Sequence, residues 1–258
     1  MSEPTPEELE LEKKKIEYEN LTINLAQKEL DLATLIGEIQ SFESLYAKII
    51  GIRLVELDDI EAQFQERLVS NHPHDINAQF KAETARENAQ ASSQAFQQSD
   101  KETESIEKFK PTENLKNLYR EVAKQIHPDL AQDEKARIYR EKLMKQANQA
   151  FQVGDEDKLN SILREWQTSP ETIIGEGVAE DLVRIIRLIS RIGRRIQLIE
   201  EEYSIILNSE ICRLMNDIAD AENSERDLLS EMAEELDARI AKNRKILIGL
   251  LNNTISVK

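Results

Sequence analysis

Apolar residues recur at alternating steps of three and four along two separate stretches of this 258-residue chain. A helix bearing such a seam cannot bury it alone, so each stretch demands a partner helix. The first seam runs Leu11, Tyr18, Leu21, Leu25, Leu32, Leu35, Ile39, Phe42, Tyr46 and Ile49, with Lys14 and Lys28 filling the remaining steps. Thr5-Pro6-Glu7-Glu8 opens it with an N-cap, a first-turn proline and a capping-box glutamate. After Gly51 the seam slips by one residue, to Ile50, Leu54, Leu57, Phe64 and Leu68, and Asn71 with Pro73 ends it. A single helix over 5–71 would be roughly 95–100 Å long.

The second seam follows a start signal at Ser169-Pro170-Glu171, loosened by Gly175 and Gly177. It runs Val178, Leu182, Ile185, Ile189, Ile192, Ile196, Ile199, Tyr203 and Ile206, then slips by one to Leu207, Ile211, Leu214, Ile218 and Ala221. Glu225 interrupts it before Leu228, Met232, Leu236, Ile240, Leu247 and Leu250. The expected fold is therefore all-α, with long helices at 5–71 and 170–252 forming an antiparallel coiled-coil stalk around an insert. Setting the two slips side by side gives contacts whose residue numbers sum to about 256. That register puts Leu11 near Lys245, Leu68 near Leu188, and the acids Glu56, Asp58, Asp59 and Glu61 beside Arg191, Arg194 and Arg195. The competing arrangement is a parallel homodimer through either seam. Off-seam residues such as Ile36, Ile186 and Ile205 favour dimerisation into a four-helix bundle.

Few glycines, prolines and aromatics against 33% charged residues fit long helices with thin apolar faces rather than a thick core. A net charge of −16 argues against broad nucleic-acid binding. The lone Cys212 excludes an internal disulfide and a cysteine-based zinc site, and fits a reducing cytosol. The N-terminus lacks a signal-peptide core, and the longest apolar run, 246–251, is too short to span a bilayer, so a cytoplasmic location is expected. Arg184, Arg187, Arg191, Arg194 and Arg195, interleaved with isoleucines, could lie on an anionic membrane, but pairing with the acidic first helix is the favoured reading.

Between the seams lies 112–166. Leu115, Leu118, Tyr119, Val122, Ala123 and Ile126 form an amphipathic stripe capped by Thr112, with Glu113 in the first turn. Pro128 ends that helix after His127. Asp133 caps a second helix bearing Ala136, Tyr139, Leu143, Ala147, Ala150 and Phe151, which Gly154 terminates. A third short piece carries Leu159, Ile162, Leu163 and Trp166.

Here the sequence LYREVAKQIHPDL, followed by a helix ending KQANQAF, resembles the J domain of DnaJ-type co-chaperones. The resemblance covers about 55 of the 258 residues. It implies two antiparallel helices holding a His-Pro-Asp loop that docks on a DnaK-type heat-shock chaperone and triggers ATP hydrolysis. The residues it assigns to that partner are His127, Pro128 and Asp129 in the loop, and Lys116, Arg120 and Lys124 on the preceding helix. His127 would shape the loop, Pro128 fix its turn, and Asp129 offer a carboxylate to an arginine. The short upstream helix with an aromatic-x-x-Leu-Gly pattern that family members carry is not found in 102–111, and Glu121 follows Arg120 where many have a second basic residue. Which segment takes that helix's place stays open.

Residues 72–111 lack the Gly/Phe repeats of the larger DnaJ-type proteins. With only scattered Ile76, Phe80, Phe96, Ile106 and Phe109 among Ala, Gln, Ser and Glu, the segment is expected to be a mobile tether. His72-Pro73-His74-Asp75 mimics the loop motif but reads as a helix-ending turn, not a metal site. No glycine-rich phosphate loop and no nucleophile motif is present, so no catalytic residue and no cofactor is expected. Two readings remain: a co-chaperone adaptor whose stalk selects a client, dimerises or localises it, and a structural coiled-coil scaffold with a degenerate hairpin.

Overall fold

The computed structural model describes residues 4–102, 109–131, 133–167 and 177–255, with backbone alone at 98–102 and 252–255. Ser169-Pro170-Glu171, Gly175 and Ile106 lie outside the described residues. Every described element is helical: α1 Pro6–Tyr46, a π-turn Ala47–Gly51, α2 Ile52–Asn71, α3 Ile76–Glu102, α4 Glu113–Ile126, a 3-10 turn Pro128–Leu130, α5 Glu134–Gln152, α6 Glu156–Gln167, α7 Val178–Leu207, α8 Glu210–Asn223 and α9 Leu228–Ile255. None of the described helices is long and apolar enough to cross a membrane. The chain divides into two units, Met1–Glu38 with Phe109–Ser209, and Ile39–Lys108 with Glu210–Lys258.

In the first unit, α1 starts with the capping box the sequence announced: Glu8 N–H donates to Thr5 Oγ1 at 3.3 Å and Thr5 N–H to Glu8 Oε2 at 2.7 Å. From Leu25 to Leu35 this helix is buried on two sides. Leu25 and Leu32 meet Ile192, Ile196 and Ile199 of α7. Ala26, Leu30 and Ala33 meet the hairpin core of Tyr119, Val122, Leu143, Phe151, Leu159 and Ile162. Phe109 joins α1 on this core, its ring edge-on to Phe151 with centroids 5.6 Å apart. Gly37 makes room for Phe109, because a Cβ there would stand 2.5 Å from that ring.

The antiparallel stalk is corrected. Burial raises the Tyr18 hydroxyl pKa, opposed by a hydrogen bond with Thr22 and by the charges of Arg140 and, last, of Arg191 on α7. Further along, Lys28 pairs with Glu200 at 2.8 Å, and Leu35 and Glu38 line one groove with Tyr203. Numbers rise together on both helices, so α1 and α7 run parallel. In the second unit Arg53 pairs with Asp237 at 2.9 Å and Glu56 with Arg244, again in parallel. The register summing to about 256 presumed opposite directions, so its contacts at Leu11 and Leu68 do not follow. A heptad seam has the same period read either way, so its direction is decided by another element.

That element is α3. It was expected to be a tether; it is a helix folded back along α2, since Phe96 sits 3.5 Å from where a Gly51 Cβ would be, while Asp58, Glu61 and Gln65 share a groove with Phe80, Lys81 and Thr84. Asp75 caps it through the amides of Asn77 and Ala78. Its inward stripe is Ala78, Ala82, Ala85, Ala89 and Phe96, a seam of small residues, whereas Ile76 and Phe80 are exposed. Alanine has the best intrinsic helix propensity and costs no side-chain entropy, so this stripe orders despite its low hydrophobicity. Within the second unit, α3 carries the chain back along α2, and α9 runs parallel to α2.

The single rod expected at 170–252 is three helices. Its slip after Ile206 falls on a break at Asn208 and Ser209. At Glu225, φ is +59°, and Arg226 N–H bonds Ala221 O while Glu225 N–H bonds Glu222 O, closing α8 with a left-handed cap. By contrast the slip after Gly51 is absorbed without a break, by the π-turn Ala47–Gly51, which inserts one residue into a continuing helix. The second unit's core gathers Phe42, Ile50, Ile218, Leu229, Ala233 and Leu236, with Ile60, Ile240 and Leu247 in a satellite.

Candidate functional site

The hairpin tip is built from both its ends. Thr112 Oγ1 accepts the Leu115 amide at 3.1 Å and starts α4; Asp133 Oδ1 accepts the Ala136 amide at 2.8 Å and starts α5. Gly154, at φ +74°, ends α5, with Asp155 N–H bonded to Ala150 O and Gly154 N–H to Phe151 O. The two helices run antiparallel: Tyr119 stacks obliquely on Phe151 at 4.6 Å and donates to Asn148 at 2.7 Å, while Arg140 reaches the carbonyls of Gln125 and His127 at 3.0 and 3.2 Å. Arg140 also lies 4.3 Å over the Trp166 ring, so one buried guanidinium satisfies the end of α4 and pins the loop from below.

Within the loop, the Asp129 amide donates to His127 Nδ1 at 3.1 Å. That fixes Nδ1 as the acceptor and leaves Nε2 to carry the proton. Nε2 donates to Glu29 Oε1 at 2.8 Å, and Arg195 Nε donates to the same oxygen at 2.9 Å. The His127 and Glu29 side chains are 4% and 7% exposed. Burial alone would raise the Glu29 pKa, but the hydrogen bonds from His127 and Arg195 and the Arg195 charge outweigh it and hold the carboxyl below its ordinary value. Burial pushes the Tyr119 hydroxyl well up, and the nearby Glu29 charge adds to that.

The predicted partner residues divide into two groups. His127 faces α1 and α7; Leu130, three residues on, is buried among Leu25, Leu32, Ile192 and Ile196. Lys116 is half-buried in a groove shared with Asp31 and Glu38 of α1. Arg120 donates to Gln27 Oε1 at 3.0 Å and to Glu113 at 3.2 Å, and also to Asn117. Lys124 is exposed, Pro128 is half-buried, and the Asp129 side chain is 31% exposed, 3.9 Å from His127 Nδ1. Within the arginine run on α7, Arg195 does pair with the first long helix, though through Glu29 rather than through the acids at 56–61, and Arg184 holds Asp181 at 2.8 Å on its own helix.

Sequence reasoning missed Glu29, Arg195 as its partner, and Arg140. A signal for Glu29 was available. Leu25, Ala26, Leu30, Leu32 and Ala33 surround it on both sides of the helix, a belt too wide for one partner seam. A polar residue inside such a belt needs a buried partner. Among the described residues no group of three or more His, Cys, Asp or Glu side chains could hold a metal ion. No family model, curated protein or solved structure matches this chain.

Proposed function

We propose that the chain is a J-domain-type co-chaperone that binds a DnaK-type chaperone and stimulates its ATPase, its rods serving dimerisation, client binding or localisation. The observation that supports this reading most is the loop's internal bond from the Asp129 amide to His127 Nδ1, at the tip of an antiparallel pair that carries Lys124 and Arg120. The Asp129 side chain beside that bond is partly exposed, where a partner's arginine can meet its carboxylate. The decisive experiment is single-turnover ATP hydrolysis by the chaperone at saturating amounts of the full chain. Wild type accelerates hydrolysis; Asp129→Asn, which keeps the shape of a partly exposed side chain, loses the acceleration at an unchanged melting temperature.

One observation favours a second reading, a structural scaffold: the His127 ring is buried against Glu29. Under it, wild type leaves hydrolysis unchanged while His127→Gln lowers the melting temperature.

A further inference from the structure

Resting on the co-chaperone reading, we infer that α7 is a built-in cover for the docking loop, fastened by Arg195 on Glu29 and by Leu130 in the seam. Loop and cover meet through few groups. Arg195 binds the carboxylate that receives His127, at 2.9 Å. Leu130 enters the apolar bed formed with Ile192 and Ile196. Beside these contacts α7 stands off: an open groove of about 650 Å³ is lined by Asp133 at the start of α5 and by Val183, Arg187 and Arg191 of α7.

The helix α1 is attached differently. Its Ala26, Leu30 and Ala33 are built into the hairpin core, so it cannot leave without unfolding the hairpin. Of the two neighbours, α7 is the one that can part from the tip while the hairpin stays folded. With α7 in place, a partner reaches Lys124 and the Asp129 carboxylate but not His127 or Leu130. Release of α7 uncovers the side of Leu130 that meets Ile192 and Ile196 and frees the Arg195 side of Glu29, while His127 keeps its bond to Glu29 on α1.

Two measurements test this on the full chain. Amide exchange reads the cover without any chaperone: Asp129, Leu130 and Ala131 bond within the loop, to His127 Nδ1, His127 O and Pro128 O. Arg195→Ala speeds exchange at these three amides about tenfold and leaves Tyr119 and Leu143 protected; Arg195→Lys, which keeps the charge, restores most of the protection. Chaperone ATPase reads the consequence: Arg195→Ala stimulates several-fold more than wild type at subsaturating amounts. A chain carrying Lys28→Cys, Glu200→Cys and Cys212→Ser, joined by a short thiol crosslinker, stimulates less than the same chain before joining. Unchanged loop exchange in Arg195→Ala overturns the cover, whatever the ATPase shows. Faster loop exchange with no stimulation by any variant leaves the cover standing and overturns the co-chaperone reading. Equal stimulation before and after crosslinking also overturns the cover.

Discussion

At the base of the hairpin, Tyr119, Phe151 and Leu159 close over Ala26, Leu30 and Ala33 of α1; at its tip, His127 and Arg195 converge on one oxygen of Glu29. The first contact is carbon on carbon, distributed over many residues and indifferent to pH. The second is concentrated in three charged or polar side chains, each of which must be desolvated and paired to be tolerated. A fold can lose part of the first and keep its shape, whereas the second is either satisfied or broken. The contrast assigns permanence to the base and reversibility to the tip.

Three experiments can break or sharpen that contrast. The largest effect is expected at the base: Phe151→Ala removes a fully buried ring that touches both Tyr119 and Phe109. It should cost roughly 3–5 kcal/mol in denaturant unfolding, and a loss under about 1 kcal/mol would show that the base is not the anchor. Acid should act on the tip next. Because the folded Glu29 pKa is depressed, its contribution is complete above the ordinary glutamate value and is lost as pH falls through the folded value. Exchange at Asp129, Leu130 and Ala131 should therefore accelerate on acidification below that range while α4 and α5 stay protected; simultaneous loss at both ends would erase the distinction. The smallest effect is expected for Gly37→Ala, which pushes Phe109 off its seat. The overpacking, about 1–3 kcal/mol, is partly offset by the gain of about 1 kcal/mol in helix propensity. A net stabilisation would show that Phe109 is not needed to close the base.

Much of the hairpin was legible because its signals are local. Thr112 and Asp133 cap as side chains of their kind do, Pro128 stops α4, and Gly154 takes the left-handed turn. The slip of the seam after Gly51 was legible too, though not its structural form, the π-turn Ala47–Gly51. What failed was everything set by long-range pairing. The direction of the rods was not written in either seam, and α3, which decides it, hides its seam in alanines that apolar counting passes over. Glu29 and Arg195 read as ordinary charges on helix faces; only the arrival of the loop between α1 and α7 makes a site of them.

Leu130 carries a consequence beyond its own burial. Seated, it belongs to the same apolar bed as Ile192 and Ile196; unseated, it would meet water at a cost of about 1.5–3 kcal/mol. Such a residue lets go of one greasy berth most readily where a second is on offer. On the reading of α7 as a cover, the bend favours visitors that bring a pocket of their own over those that bring charge alone, and a bare polyanion or polycation drifting past should leave it shut.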